Sequence, residues 1–170
     1  LKNSYKGSLI INNNGNDLTI INRVFLEHYI QGVLFAEGGL GHHKEYYKVQ
    51  AIISRTYTYD NLNKHFEDGY NLCSRVHCQA YKGNNYVNSD IKDAVTNTEN
   101  LIITDANMNL ITAAFYSNSG GQTANSEDVW MMPLPYLRSK LDSFSLHQKN
   151  YQWKKTIKKE SWLNYLHNKT

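Results

Sequence analysis

The sequence predicts an α+β fold, with β-hairpins packed against helices and a groove near the end of the first long helix. Three observations predict it. Short runs rich in β-branched residues come in pairs around turns rich in Asn, Gly and Asp. Other stretches repeat apolar residues at helical spacing. Strand and helix signals also fail to alternate in the βαβ rhythm that a parallel sheet needs. One domain over residues 1–170 is expected, with its core in roughly residues 5–140 and a helical C-terminal segment in roughly residues 150–168.

Residues 8–11 and 17–21 are the first pair of runs, joined by Asn12, Asn13, Asn14, Gly15 and Asn16. Asn and Gly tolerate left-handed backbone, so this reads as a hairpin. Val24, Phe25, His28, Tyr29, Gly32, Val33 and Ala36 then make an apolar helical face, with Asn22 placed to cap it. Gly38, Gly39 and Gly41 end that helix, because three glycines in four residues continue it only at a cost. A second helix is expected over residues 44–63 with Val49, Ile52, Ile53, Thr56 and Tyr57 inward. Residues 66–85 have no period and read as irregular. Ser89 is placed to cap a helix carrying Ile91, Ala94, Val95 and Thr98. Residues 101–104 and 110–116 form a second hairpin signal around Asp105 to Asn109, and Pro133 and Pro135 mark an extended connection. Trp153, Ile157, Trp162, Tyr165 and Leu166 give the helical C-terminal segment.

The chain has 170 residues, 41% apolar and 12% aromatic, enough for a core of its own and too apolar for disorder. Its thirteen tyrosines either fill half-buried sheet positions or line a wet groove, where a flat apolar face with a polar tip suits sugar rings. The net charge of +3 is mild. Its basic excess gathers at Lys154, Lys155, Lys158 and Lys159, which reads as a solvated helix face with no nucleic-acid motif beside it. No apolar run is long enough to span a membrane, and the expectation is that this stretch of sequence carries no signal peptide. The chain opens at Leu1 and not at methionine, so the expectation is a mature form or a part of a longer protein.

Glu37 is the strongest single candidate for chemistry. It follows Val33, Leu34, Phe35 and Ala36, which can supply apolar walls, and precedes a Gly-rich loop that leaves room for a substrate. A carboxyl in such a place can keep a proton and deliver it to a leaving oxygen. Lys48 and Arg55 lie seven apart, on one face of the second helix, where a cation can meet a carboxylate. Ser117, Ser119, Gly120, Gly121 and Thr123 combine small hydroxyls with glycine N–H groups, which suits either a sugar-lining loop or a tight turn. Trp130 is expected in the core, and Glu127 and Asp128 are the partners that a two-carboxylate mechanism would use.

Taken in order, Val33 to Glu37, Lys48 to Tyr57, Ser117 to Gly121 and Ser126 to Trp130 resemble the stage II sporulation protein D / LytB (amidase enhancer) family. The most specific match is the Lys-x-Gln-Ala-x-x-x-x-Arg-Thr-Tyr run, carried here by Lys48, Gln50, Ala51, Arg55, Thr56 and Tyr57. The resemblance implies an extracytoplasmic protein acting on peptidoglycan glycan strands, a lytic transglycosylase that leaves 1,6-anhydro ends. It implies Glu37 as the single acid/base and no cofactor for catalysis. It implies Lys48, Gln50, Arg55, Tyr57, Ser117, Ser119, Gly120, Gly121 and Thr123 as substrate-binding. The rival it carries is a non-catalytic glycan-binding enhancer of a cell-wall amidase. One departure stands out: where the family has a short proline-containing segment after the glutamate, this chain has Gly38-Gly39-Leu40-Gly41-His42-His43. His42 and His43 read as exposed loop residues.

Cys73 and Cys78 are the only cysteines. In a cell-wall protein they fit a disulfide closing a small loop. Some relatives bind zinc in the corresponding region, which makes Cys73, His77 and Cys78 ligand candidates, with His65 or Glu67 as the fourth. Disulfide, structural zinc and free thiols are the three readings.

Overall fold

The computed structural model describes residues 3–13, 15 and 17–168, and the chain divides into two compact units, one running to Ala114 and the other from Phe115. The fold class is α+β: among the described residues there are five α-helices and one two-stranded antiparallel sheet.

In the first unit β1 (Ser8–Asn13) pairs with β2 (Leu18–Arg23), in register from Ser8 opposite Arg23 to Asn13 opposite Leu18. Of the expected turn, Asn14 and Asn16 lie outside the described residues. Gly15 has a positive φ of 89° and donates its N–H to Asn13 Oδ1 at 2.9 Å, the local bond that makes Asn–Gly sequences turn. Leu9, Ile11, Leu18 and Ile20 share the exposed face of this ribbon.

Asn22 does not cap the first helix. It lies in β2, where its Nδ2 donates to the carbonyls of Lys6 (2.9 Å) and Ser8 (3.2 Å) and its Oδ1 accepts from Tyr81 Oη (2.8 Å). The helix α1 (Leu26–Gly38) therefore starts later, after an extended Phe25 that makes no side-chain cap. It ends where the glycines predict: Gly39 has φ 76° and its N–H bonds back to the Phe35 carbonyl at 2.9 Å. The helix α2 (Lys44–Asp60) begins at His43, whose Nδ1 accepts from the Glu45 N–H at 3.3 Å. The helix α3 (Ser89–Asn97) is capped by Asn88, one residue before the expected Ser89, through Oδ1 and the Ile91 N–H at 3.0 Å. These three helices pack pairwise, and Ile30, Leu34, Tyr47, Ala51, Ile91, Ala94 and Val95 form the core between them.

The inward face of α2 differs from the expectation. Val49 is 57% exposed and Ile52, Ile53 and Tyr57 are half-buried, while Tyr47, Gln50, Ala51, Ser54, Arg55, Thr56 and Thr58 are buried. A polar face can be buried because its groups are satisfied locally. Thr56 Oγ1 bonds the Ile52 carbonyl at 2.7 Å and Thr58 Oγ1 the Ser54 carbonyl at 2.8 Å.

The same face prevents the second hairpin. Arg55 Nη1 donates to the Leu101 carbonyl at 3.0 Å and Thr56 Oγ1 accepts from the Ile103 N–H at 3.0 Å. The backbone groups of the expected strand are thus taken by α2 side chains, and only the bridge between Thr104 and Leu110 forms. The turn itself is as expected, with Asp105 Oδ1 accepting the N–H groups of Asn107 (2.8 Å) and Asn109 (2.9 Å).

The second unit contains the one-turn α4 (Glu127–Trp130), a 3-10 turn at Ser143–Ser145 and α5 (Lys159–His167). Residues 153–158 carry no regular structure, so the C-terminal helix is shorter than predicted. Lys154 and Lys158, and Lys155 and Lys159, would stack like charges at i,i+4 in a longer helix. Trp130 is 50% exposed and not in the core. No helix of the described residues is long and apolar enough to cross a membrane.

Candidate functional site

Glu37 sits half-buried in the last turn of α1. Its Oε1 accepts the backbone N–H of Ala80 at 2.6 Å, so one carboxylate oxygen is fixed by the segment that follows Cys78. The loop beyond it is built, not loose. His42 Nε2 lies 2.8 Å from the Gly38 carbonyl, and Tyr47 Oη donates to the Gly39 carbonyl at 3.2 Å while accepting the His42 N–H at 3.3 Å. The His42 ring packs on Tyr46 with centroids 4.3 Å apart. A Cβ on Gly38 would stand 2.9 Å from Tyr46 Oη, so the residue after the glutamate has to be glycine for the tyrosine to lie there. Both histidines are exposed, as expected, and both also hold the loop and the start of α2 in shape.

The α2 signature divides between surface and interior. Lys48 is half-buried and pairs with Glu45 at 2.7 Å. Tyr57 Oη accepts from Lys64 Nζ at 3.2 Å. Gln50 is buried, with Nε2 on Ser54 Oγ at 3.4 Å. Arg55 has no exposed surface: Nε and Nη2 donate to Glu27 Oε1 (2.9 Å) and Oε2 (2.7 Å) in a bidentate pair. The expectation that Arg55 and Gln50 reach a ligand is corrected. The Arg55 guanidinium is spent on Glu27 and the Leu101 carbonyl and the buried Gln50 amide donates to Ser54, and seven-residue spacing does not reveal which way a shared face points.

In the second unit the Ser117–Thr123 stretch is a turn held by Asp142, Ser145 and Lys140. Ser119 Oγ donates to Asp142 Oδ2 at 2.7 Å and lies 2.7 Å from Ser145 Oγ, and the Gly121 N–H donates to Ser145 Oγ at 2.8 Å. The Gly120 N–H donates to Asn118 Oδ1 at 2.7 Å, and Thr123 Oγ1 accepts the Lys140 N–H at 2.8 Å. These glycine N–H groups and the Ser119 hydroxyl are therefore engaged by the protein itself; Ser117 is exposed. Glu127 is paired with Arg138, Oε1 to Nη1 at 2.7 Å and Oε2 in close contact with Nη2. The Arg138 hydrogen bonds hold its carboxyl down to about 2, so it is ionised at neutral pH and is no proton donor.

The sequence candidates His65, Cys73, His77 and Cys78 do come together: one ligand atom from each lies within 4.8 Å of all the others. His65 Nε2 is 3.3 Å from His77 Nδ1, and that nitrogen is 3.8 Å from Cys73 Sγ and 3.7 Å from Cys78 Sγ. A tetrahedral zinc with ordinary Zn–N and Zn–S bonds sets N···N at about 3.3 Å and S···N at about 3.6 Å. The observed separations match these edges. His65 Nδ1 faces Asp68 Oδ2 at 2.7 Å, the carboxylate support that orients metal-binding imidazoles. Burial opposes the Cys73 thiolate, but hydrogen bonding from the Arg75 backbone, His77, Cys78 and His65 outweighs it and brings the thiol to about 6. Burial pushes Cys78 up. The two cysteines are free thiols and not bonded to each other. The donor set fits zinc, and Glu67 is not part of it.

Sequence reading missed Ala80 and Gln79, since a backbone N–H and a lone glutamine carry no motif. It also missed Asp68, whose spacing of three from His65 was the available signal.

The stage II sporulation protein family matches residues 14–104, just over half of the chain. The amidase enhancer of Bacillus subtilis (strain 168) is 32% identical over 114 residues, covering 67% of this chain and 15% of the relative. The stage II sporulation protein D of the same organism is 29% identical over 152 residues, covering 81% of this chain and 44% of the relative. An uncharacterised protein of Brachyspira hyodysenteriae is 28% identical over 134 residues, covering 78% and 36%. The chain spans less than half the length of each of these relatives.

Proposed function

The chain belongs to the stage II sporulation protein family, and from that premise we propose that it is an extracytoplasmic peptidoglycan lytic transglycosylase with Glu37 as its single acid/base. The observation that carries the reading is the placing of Glu37: half-buried at a helix end, with Oε1 tied to the Ala80 N–H. Among the described residues its Oε2 has no hydrogen-bond partner, which leaves that oxygen for a substrate. Glu37 protonates the oxygen bridging N-acetylmuramic acid to N-acetylglucosamine. It then takes the proton from the muramic 6-hydroxyl as that oxygen closes on the anomeric carbon. The product is a 1,6-anhydro end, and no water attacks. Lys48, with its ammonium at the surface, is the group we assign to the muramic lactyl carboxylate, and Tyr57 is a further glycan contact.

We also propose that His65, Cys73, His77 and Cys78 hold a structural zinc. With four protein ligands no coordination position remains open, so the ion holds the 61–81 segment in shape and takes no part in glycan cleavage.

The relative named amidase enhancer favours a second reading, a glycan-binding module that stimulates a cell-wall amidase. Mass spectrometry of purified glycan strands, with and without stem peptides, separates the two. The transglycosylase reading expects anhydro-muramic ends from wild type and none from Glu37→Gln at unchanged thermal stability. Intact strands from both proteins, with binding retained, would sink it in favour of the enhancer.

A further inference from the structure

We propose that Gln79 is a positioning residue that sets the orientation of Glu37 through the backbone of Ala80. This deepens the proposal above and rests on Glu37 being the acid. Gln79 is 5% exposed, and an amide buried that far is stable only when its polar atoms are paired. Its Oε1 accepts from Tyr29 Oη at 3.3 Å and lies 3.0 Å from Thr58 Oγ1, whose one proton it shares with the Ser54 carbonyl, and its Nε2 donates to that carbonyl at 3.2 Å. One side chain thus ties its segment to α2, through Ser54 and Thr58, and to α1, through Tyr29. Glu37 lies on the same ridge of α1 as Tyr29, two steps of four residues further on.

The next residue, Ala80, has only a methyl group and cannot anchor itself. Its N–H nonetheless meets Glu37 Oε1 at 2.6 Å. On its far side Tyr81 fixes the chain by packing, with its ring against Gly32 and a backbone bond to the Ser74 carbonyl at 3.1 Å. On its near side Gln79 fixes it by one hydrogen bond to the helix that carries the acid, through Tyr29, and by its bonds to α2. Losing those bonds lets the Ala80 N–H move relative to the carboxylate while the rest of the core stays in place. A displacement of about 1 Å in a catalytic group can cost roughly a hundredfold in rate.

The test compares wild type, Gln79→Leu and Tyr29→Phe in the 170-residue chain, with Glu37→Gln as the reference for a lost carboxylate bond. The readouts are the Ala80 amide resonance, its hydrogen-exchange rate, zinc content, and kcat and KM on glycan strands. In Gln79→Leu the Ala80 amide proton should move upfield, toward its position in Glu37→Gln, and exchange faster at wild-type zinc content. kcat should fall roughly ten- to a hundredfold with KM unchanged. Tyr29→Phe keeps the packing and removes one of the three bonds, so a smaller shift in the same direction is expected even if Gln79→Leu does not fold. An Ala80 resonance unmoved in a folded variant overturns the proposal. Absence of anhydro ends from wild type itself overturns the enzymatic reading instead, and the amide shifts still decide the positioning.

Discussion

Arg55 is the largest fully buried side chain of the described residues, and it is ionic. Its guanidinium is satisfied by two bonds to Glu27 and one to the Leu101 carbonyl, so it joins α1, α2 and the segment after α3. Removing one partner of a buried pair strands the other charge, which costs about 3–5 kcal/mol. Glu27 keeps a quarter of its side chain in solvent, so Arg55→Met should fall at the low end, about 3 kcal/mol in urea unfolding, without touching glycan contacts directly. Adding Glu27→Gln should recover part of that loss. Gly32 makes a different demand. A Cβ there would lie 2.5 Å from the Tyr81 ring and 2.8 Å from the Gly83 carbonyl, closer than real contacts allow. Gly32→Ala should therefore destabilise by about 1–3 kcal/mol, read in the same urea experiment. Neither role shows in the sequence. Arg55 matches a motif that suggests ligand binding, and Gly32 sits at a helical position where glycine usually weakens the helix.

At the scale of elements, the first hairpin and the glycine stop of α1 were legible and the second hairpin was not. The glycines after Glu37 act through neighbours one to four residues away, which a sequence contains, while the cap of α3 fell on Asn88, one residue before the expected Ser89. The second hairpin failed because Arg55 and Thr56, some forty-five residues upstream, capture its backbone groups. The short α4 adds an electrostatic element. Glu127 in its first turn is held at about 2 by Arg138, against an ordinary value of 4.5. A lowered folded-state value means the stabilisation is complete above about 4.5 and is lost as pH falls toward about 2. The pair is solvent-exposed, so its contribution is modest. Wild type should be more stable than Glu127→Gln at pH 7, and the gap should close between these two values in acid unfolding curves. A gap that persists unchanged at pH 2 would contradict this reading.

Across the whole molecule, the first unit rests on a three-helix core with a long turn-rich segment, residues 61–81, outside it. Its side chains His65, Cys73, His77 and Cys78 converge on one another across the segment. If zinc occupies that cluster, binding free energy is folding free energy. A chelator should then lower the thermal midpoint of the chain by several degrees, and added zinc should restore it, as read by circular dichroism. Were the cysteines to form a disulfide instead, the chelator would do nothing and a reductant would lower the midpoint.

By itself the sequence determined the family, the α+β class, Glu37 at the end of a helix and three of the ligand candidates, Cys73, His77 and Cys78. These follow from short-range spacing, because periodicity, glycine stops and motif runs are properties of neighbouring residues. The tertiary structure alone decided that Arg55 and Gln50 turn inward, that the Ser119 turn bonds to Asp142 and Ser145, and that His65, not Glu67, completes the cluster. It alone brought Ala80 to Glu37 across forty-three residues. Burial and hydrogen-bond pairing are set by whatever else the fold delivers to the same place, and no local pattern encodes that.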